Sequence, residues 1–241
     1  MTQSPRTTAP TALVTGASKG FGRAVARRLA ARGWRLVLDA RSATDLERLA
    51  GELPDVVALA GDVTDPLHRA ALVTAVATLG GIDLLVNNAS DLGPSPLPYL
   101  RDYPLDAART VYETNVIAPL ALVQLLLPSL AAAGGAIVNI SSDAAVEAYE
   151  GWGGYGSSKA ALDHLGAVLA AEEPGLRVYA FDPGDMRTDM HQRAFVGEDI
   201  SDRPEPETVV PALLRLIDER PASGRYRAAD LAAQMASEAA R

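Results

Sequence analysis

The chain has 241 residues, 48% of them hydrophobic, a formal net charge of −8 and no cysteine. That length suits one substantial core. The acidic balance offers no basic stripe for nucleic acid, and the lack of Cys excludes disulfides, thiolate catalysis and thiolate metal ligands. Three scattered histidines, His68, His164 and His191, do not make a metal site, and none is expected. Met1 to Pro10 is polar, with two prolines and no apolar core, so it reads as a disordered leader to a single domain spanning 11–241. The longest apolar stretches, such as Val116 to Leu127, fall short of a membrane span, which makes the cytoplasm the expected location.

In chain order, Ala12 to Thr15 reads as a strand and Gly22 to Arg32 as a helix with Val25, Leu29 and several alanines on one side. Leu36 to Leu38 is a second strand, and Thr44 to Gly51 a short helix with Thr44 as its N-cap. Val56 to Leu59 follows, then a helix from Pro66 to Leu79 that Asp65 caps, with Pro66 in its first turn. Ile82 to Val86 is near-continuously apolar, as a strand buried on both faces of a parallel sheet must be. A loop with Pro94, Pro96 and Pro98 leads to a long helix from about Leu105 to Ala132. Ala136 to Ile140, the helix carrying Tyr155, and Arg177 to Phe181 continue the alternation. Thr188 to Glu207 is charged and poor in apolar residues, so it reads as a loop or lid. A helix from Glu207 to Asp218 and a strand near Arg225 to Ala228 close the fold. Such alternation predicts an α/β, doubly wound Rossmann-type domain with a parallel sheet of about seven strands, its ligand site at their carboxyl ends.

The turn after the first strand is Thr15-Gly16-Ala17-Ser18-Lys19-Gly20-Phe21-Gly22. Glycines there permit a tight turn and close backbone approach, and the helix N-terminus presents amides and a positive dipole end to a phosphate. Its Gly-x-x-x-Gly-x-Gly spacing is neither the Gly-x-Gly-x-x-Gly fingerprint nor a nucleotide-triphosphate loop, which ends in Gly-Lys-Ser/Thr. Further on, Tyr155 and Lys159 stand four apart in a helix and share one face. A phenol near pKa 10 shuttles protons poorly at neutral pH, and a fixed ammonium beside it stabilises the phenolate. Ser142, thirteen positions before Tyr155, offers a hydroxyl to hold a carbonyl or alcohol oxygen against that phenol. Pro119 lies four residues after Asn115 and has no N–H to give to the Asn115 carbonyl, which leaves that oxygen for another partner, most simply water.

From Thr11 to about Ala229 the chain resembles the short-chain dehydrogenase/reductase family, in its compact, non-extended branch. The motifs that carry the resemblance are the Thr15–Gly22 turn, Asp62-Val63, Asn87-Asn88-Ala89-Ser90, Asn115 in Glu-Thr-Asn-Val, the Ser142/Tyr155/Lys159 set, and Pro183-Gly184 with Thr188. Ser90 stands where the family has glycine. The resemblance implies a catalytic tetrad of Asn115, Ser142, Tyr155 and Lys159. Tyr155 is then the general acid in reduction and base in oxidation, Ser142 orients the substrate oxygen, and Lys159 also grips the ribose hydroxyls. The Asn115 carbonyl holds a relay water that leads to Lys159. It also implies cofactor contacts from Gly16, Ser18, Lys19, Gly20, Phe21 and Gly22 in the turn, and from Arg41, Asp62, Val63, Asn88 and Ala89 beyond it. Pro183, Gly184, Met186 and Thr188 hold the carboxamide end, beside Tyr155 and Lys159.

An acid closing the second strand selects NAD, whereas a basic residue there suits the 2′-phosphate of NADP. Counted from Gly16, the family's acid position holds Ala40. Asp39 falls one residue early and points to the other face, while Arg41 and Lys19 match basic positions of NADP-preferring members. The expected cofactor is NADP(H) rather than NAD(H), and the expected reaction is carbonyl reduction or the reverse oxidation of a secondary alcohol. A dinucleotide-binding sensor or scaffold without turnover, and an epimerase or dehydratase of the same fold, are the alternatives; the complete tetrad and the short C-terminal part weigh against them. Around the substrate the sequence places Asp91-Leu92, Asp143, Glu147, Tyr149, Trp152, Met186 and a lid from Asp189 to Val196. This mix suits a polar or amine-bearing ring, or marks only a solvated rim. Arg187 is expected in a surface ion pair and His191 in solvent. Family members commonly pair as homodimers or homotetramers through helices matching Leu105–Ala132 and Tyr155–Glu172. No nucleic-acid or membrane partner is expected.

Overall fold

The structure, a computed structural model, describes residues 9–239; most of the expected leader lies outside them. Seven parallel strands form one sheet in the order β3-β2-β1-β4-β5-β6-β7. They are β1 (Thr11–Val14), β2 (Arg35–Ala40), β3 (Val56–Ala60), β4 (Leu84–Asn87), β5 (Ala136–Ile140), β6 (Arg177–Asp182) and β7 (Gly224–Arg227). The period-two geometry of a strand splits β1 between two cores. Ala12 and Val14 join a cluster with Phe21, Leu29 and Leu213, while Leu13 joins the opposite one with Leu72, Leu122 and Leu130. Burial of β1, β4 and β5 on both faces accounts for their largely apolar sequences. Strand order reverses between β1 and β4, and there the cleft opens at the carboxyl ends.

The helices on one face include α1 (Gly20–Ala30) and α8 (Pro206–Glu219); on the other lie α3 (Pro66–Thr78), α5 (Ala118–Ala133) and α6 (Gly153–Glu172). The expected long helix is interrupted: α4 (Leu105–Tyr112) passes through a π turn, Glu113–Ile117, into α5. At its end the Ala118 amide donates to the Glu113 carbonyl, five residues back. Pro119 explains the break, since it offers no amide to Asn115 and its ring crowds that carbonyl. Including the turn, Leu105–Ala133 runs 29 residues and contains an 18-residue window of mean hydropathy 2.1, long and apolar enough for a membrane span where the sequence reading found no such stretch. Its face with Leu122, Leu126 and Leu130 packs on the sheet, which accounts for much of that apolar content.

Three local expectations change. Helix α2 (Ala43–Glu52) is capped by Ser42, which accepts from the Asp45 amide, and not by Thr44. The lid segment is not all loop: Thr188 caps a short helix, α7 (Asp189–Ala194), by accepting from the His191 amide. A ninth helix, α9 (Ala228–Ala239), follows β7, where the sequence reading ended on a strand. It buries Leu231 against the core around α8.

Candidate active site

A single cleft of about 900 Å³ crosses the carboxyl ends of the strands, from the glycine turn at one end to Tyr155 and the α7 segment at the other. Gly16 and Gly20 take positive φ of 63° and 55°, which only glycine adopts without strain. A Cβ on Gly16 would stand 2.8 Å from the Ala89 Cα, and one on Gly22 would stand 2.5 Å from the Gly16 carbonyl oxygen. The loop after β4 locks this turn. Thr15 Oγ1 accepts from the Asn88 and Ala89 amides at 3.0 Å, and Asn88 Nδ2 donates to the Thr15 and Gly16 carbonyls at 2.9 and 3.1 Å. Asn88 therefore meets the cleft as a staple of the turn. The cradle is bare backbone at the start of α1, which suits the diphosphate of a dinucleotide.

The other expected cofactor residues divide by exposure. Ser18, Arg41, Asp62, Val63, Pro183, Gly184, Met186 and Thr188 all line the cleft. Phe21 lines it too, yet is only 5% exposed and stacks on Phe181 at 5.9 Å. Lys19 reaches across the opening to Asp189 of α7 at 3.1 Å. Asp39 borders the cleft as well, but it is only 2% exposed and its carboxylate is held by His68 Nε2 at 2.6 Å.

At the other end Tyr155 is 8% and Lys159 1% exposed, both on α6. Lys159 Nζ lies 5.5 Å from the Tyr155 ring centre and donates to the Ile140 carbonyl at 2.8 Å. Burial brings the Lys159 ammonium down to about 8, while Asp163 pulls it up. Tyr155 moves against expectation. Burial pushes its phenol well above the usual tyrosine value; a Ser90 hydrogen bond opposes that, while Asp182, Asp143 and Asp163 add to it. Desolvation outweighs the neighbouring ammonium here, so the phenol is held protonated in the protein alone.

Asn115 is fully buried and is absent from the cleft wall, where its neighbour Thr114 appears. Its Nδ2 donates to the Asp91 carbonyl and to Ser158 Oγ, both at 2.9 Å, and its Oδ1 accepts from the Asp91 amide at 2.7 Å and Ser90 Oγ at 3.2 Å. The side chain thus ties the loop after β4 to α6 and leaves only the backbone to face outward chemistry. Ser142 caps a short turn over Asp143–Ala145: its hydroxyl accepts from the Ala144 amide at 3.2 Å and donates to Asp143 Oδ1 at 2.9 Å.

On the substrate side Leu92, Asp143, Tyr149, Trp152 and Met186 line the cleft, and Asp91 and Glu147 do not. Trp152 meets Tyr155 edge-on at 5.8 Å and Phe195 at 6.0 Å, so it forms wall. Arg187 pairs with Glu205, as expected of a surface arginine. His191 is not solvated: it is 9% exposed and packs on Phe195 at 4.6 Å, and burial lowers its pKa. Of the expected lid, Asp189, Met190, His191, Ala194 and Phe195 line the cleft, and Gln192, Arg193 and Val196 do not.

Sequence reasoning missed the network beneath these residues. Arg225 of β7 donates to Ser141 Oγ at 2.7 Å, Asp163 Oδ2 at 3.0 Å, the Ser142 carbonyl at 3.0 Å and Asp182 Oδ2 at 2.8 Å. One guanidinium thereby joins the ends of β5 and β6 to α6. Asp163 follows Lys159 by one helical turn, a spacing visible in the chain, but nothing local marks Arg225.

A family model described as short chain dehydrogenase matches residues 10–199. The chain belongs to that family. Sepiapterin reductase of Mus musculus is 38% identical over 199 residues, 76% of each chain. Serine 3-dehydrogenase of Agrobacterium fabrum is 38% identical over 186 residues, 74% of this chain and 73% of the relative. Among solved structures, a short-chain dehydrogenase/reductase of Saccharomyces cerevisiae superposes with a TM-score of 0.83 at 28% identity, over 91% of this chain and 96% of that one. A Shigella flexneri short chain dehydrogenase complexed with NADP gives 0.83 at 29% identity, over 91% and 96%. The doubly wound fold and the enzyme class follow: a nicotinamide-dependent oxidoreductase acting on CH–OH or carbonyl groups.

Proposed function

We propose that this enzyme uses NADP(H) to reduce a small-molecule carbonyl, or to oxidise the corresponding secondary alcohol, with Tyr155 as the proton-transferring group. The observation that carries the reading is the pairing, at the carboxyl edge of the sheet, of a buried phenol with a buried ammonium in the same cleft as a bare glycine cradle. The cofactor supplies the hydride when bound. Gly16, Ser18, Gly20, Phe21 and Gly22 of the turn would hold its diphosphate, with Asp62, Val63, Asn88 and Ala89 toward its adenosine half. Pro183, Gly184, Met186 and Thr188 surround the carboxamide.

The chain's own residues then handle the substrate oxygen. Ser142 turns its hydroxyl toward that oxygen in exchange for Asp143, and Tyr155, protonated in its buried seat, donates the proton during reduction. Lys159 offers its remaining N–H groups to the ribose hydroxyls and stabilises the phenolate left behind. A water held on the Asn115 carbonyl, which Pro119 leaves without its helical donor, passes a proton from solvent to Lys159, which returns it to Tyr155. Arg41 and Lys19 favour the 2′-phosphate, supported by the withdrawal of Asp39 into the fold.

The same reading takes 11–241 as one dinucleotide-binding and catalytic domain, acting in the cytoplasm as a homodimer or homotetramer. Exposed Tyr112, Ile117, Leu125 and Val168 on the outer faces of α4, α5 and α6 and the π turn favour such pairing. The test is to follow NADPH and NADH oxidation against a panel of aldehydes and ketones. Turnover with NADPH preferred is the expected result. Tight binding of NADPH with no turnover on any carbonyl would instead support a sensor or scaffold.

A further inference from the structure

Asp39, near the end of β2, borders the adenosine end of the cleft beside Asp62, yet its carboxylate is held from two sides. One oxygen accepts from the Gly16 amide at 3.4 Å, and the other lies 2.6 Å from His68 Nε2. The imidazole comes from the first turn of α3 and is itself 9% exposed. Its seat is shaped by Gly61: a Cβ there would stand 2.3 Å from His68 Nδ1. Asp39, Ala40, Arg41, Gly61 and Asp62 all line this end of the cleft, and the charge of Arg41 acts to lower the Asp62 carboxyl. Burial raises the Asp39 carboxyl, and the bond and charge of His68 act against that rise.

We propose that His68 and Asp39 form a positioning pair that sets the choice of cofactor. The imidazole holds the carboxylate beneath the glycine turn, and Arg41 is left as the charged group that meets the adenosine 2′ position. The inference rests on the NADP(H) reading above. Without His68, Asp39 keeps one long bond in a buried seat at the edge of the cleft, and a carboxylate so placed moves toward water. The nearest water is the cleft. There the acid repels a 2′-phosphate and accepts from a ribose diol.

The experiment titrates NADPH and NADH into wild type, His68→Leu, His68→Gln and the double variant Asp39→Asn/His68→Leu, following cofactor fluorescence. Each thermal midpoint is measured first and binding is read below it, since partial unfolding weakens both cofactors and leaves their ratio alone. In His68→Leu the NADPH dissociation constant rises about tenfold and that for NADH changes less than about threefold. Gln, which keeps a donor near the Nε2 position, and the double variant, which removes the charge, both hold the ratio near wild type. Equal weakening of both cofactors in His68→Leu, or a ratio that the double variant does not restore, overturns the pair. Wild type that binds NADH more tightly than NADPH overturns the cofactor reading instead, and the change of ratio in His68→Leu still judges the pair.

Discussion

At the Tyr155 end of the cleft the polar groups are buried and bonded into the fold, whereas at the adenosine end the cations that face the opening stand on the surface. Lys159 is 1% exposed and Asn115 fully buried, while the Lys19 side chain is 62% exposed and its partner Asp189 76%. A proton-transfer site needs fixed distances and a dry setting, which only packing and a complete set of hydrogen bonds provide. Recognition of a phosphate at the rim needs charge alone, which a solvated arginine supplies. The chemistry is therefore coupled to stability, and so is the buried His68–Asp39 pair, whereas the phosphate contact of Arg41 at the rim is not.

Substitutions should break that contrast in order of depth. Lys159→Met removes the buried ammonium and should lower kcat about a thousandfold; a loss under tenfold would mean that the charge is dispensable. The same variant carries a stability test with a definite sign. Burial lowers Lys159 to about 8 from 10.5, so the cost of its charge is full below about 8 and fades as pH rises toward 10.5. The unfolding free energy of the variant minus that of wild type should accordingly fall across that window in urea titrations.

Asn115→Leu leaves the Asp91 amide, the Asp91 carbonyl and Ser158 without their partner in the interior, and should destabilise the protein by about 2–4 kcal/mol. Activity should fall with it, because the same side chain ties the loop after β4 to α6. Arg41→Ala sits at the opposite pole: the Michaelis constant for NADPH should rise about tenfold, that for NADH little, and the urea midpoint should not move. Equal effects on the two cofactors would remove Arg41 from the recognition of the 2′-phosphate.

The two ends were also unequally legible in the sequence. A parallel sheet buried on both faces writes its strands as apolar runs, so β4 and β5 stood out, and the glycine turn and the Tyr155/Lys159 spacing are local patterns. Pro119 marked the break that the structure resolves as a π turn. What the chain did not display depends on distant neighbours. Arg225 becomes a clamp only because β7 pairs with β6, which lies beside β5. His68 becomes Asp39's partner only because β2 and the start of α3 converge beneath the turn. The burial that raises the Tyr155 phenol in the protein alone was hidden for the same reason: the ammonium is visible as spacing, and burial is not. Helix α7 rests on one cap and on His191 packing against Phe195, too little pattern to stand out from a charged loop.

The most direct test of the account is single-turnover oxidation of NADPH by wild type and Tyr155→Phe on the best carbonyl of the panel. Phenylalanine keeps the ring that packs on Trp152 and removes only the hydroxyl. The account predicts unchanged NADPH binding and a rate lower by about a thousandfold or more. A Tyr155→Phe enzyme that turns over at the wild-type rate would contradict it.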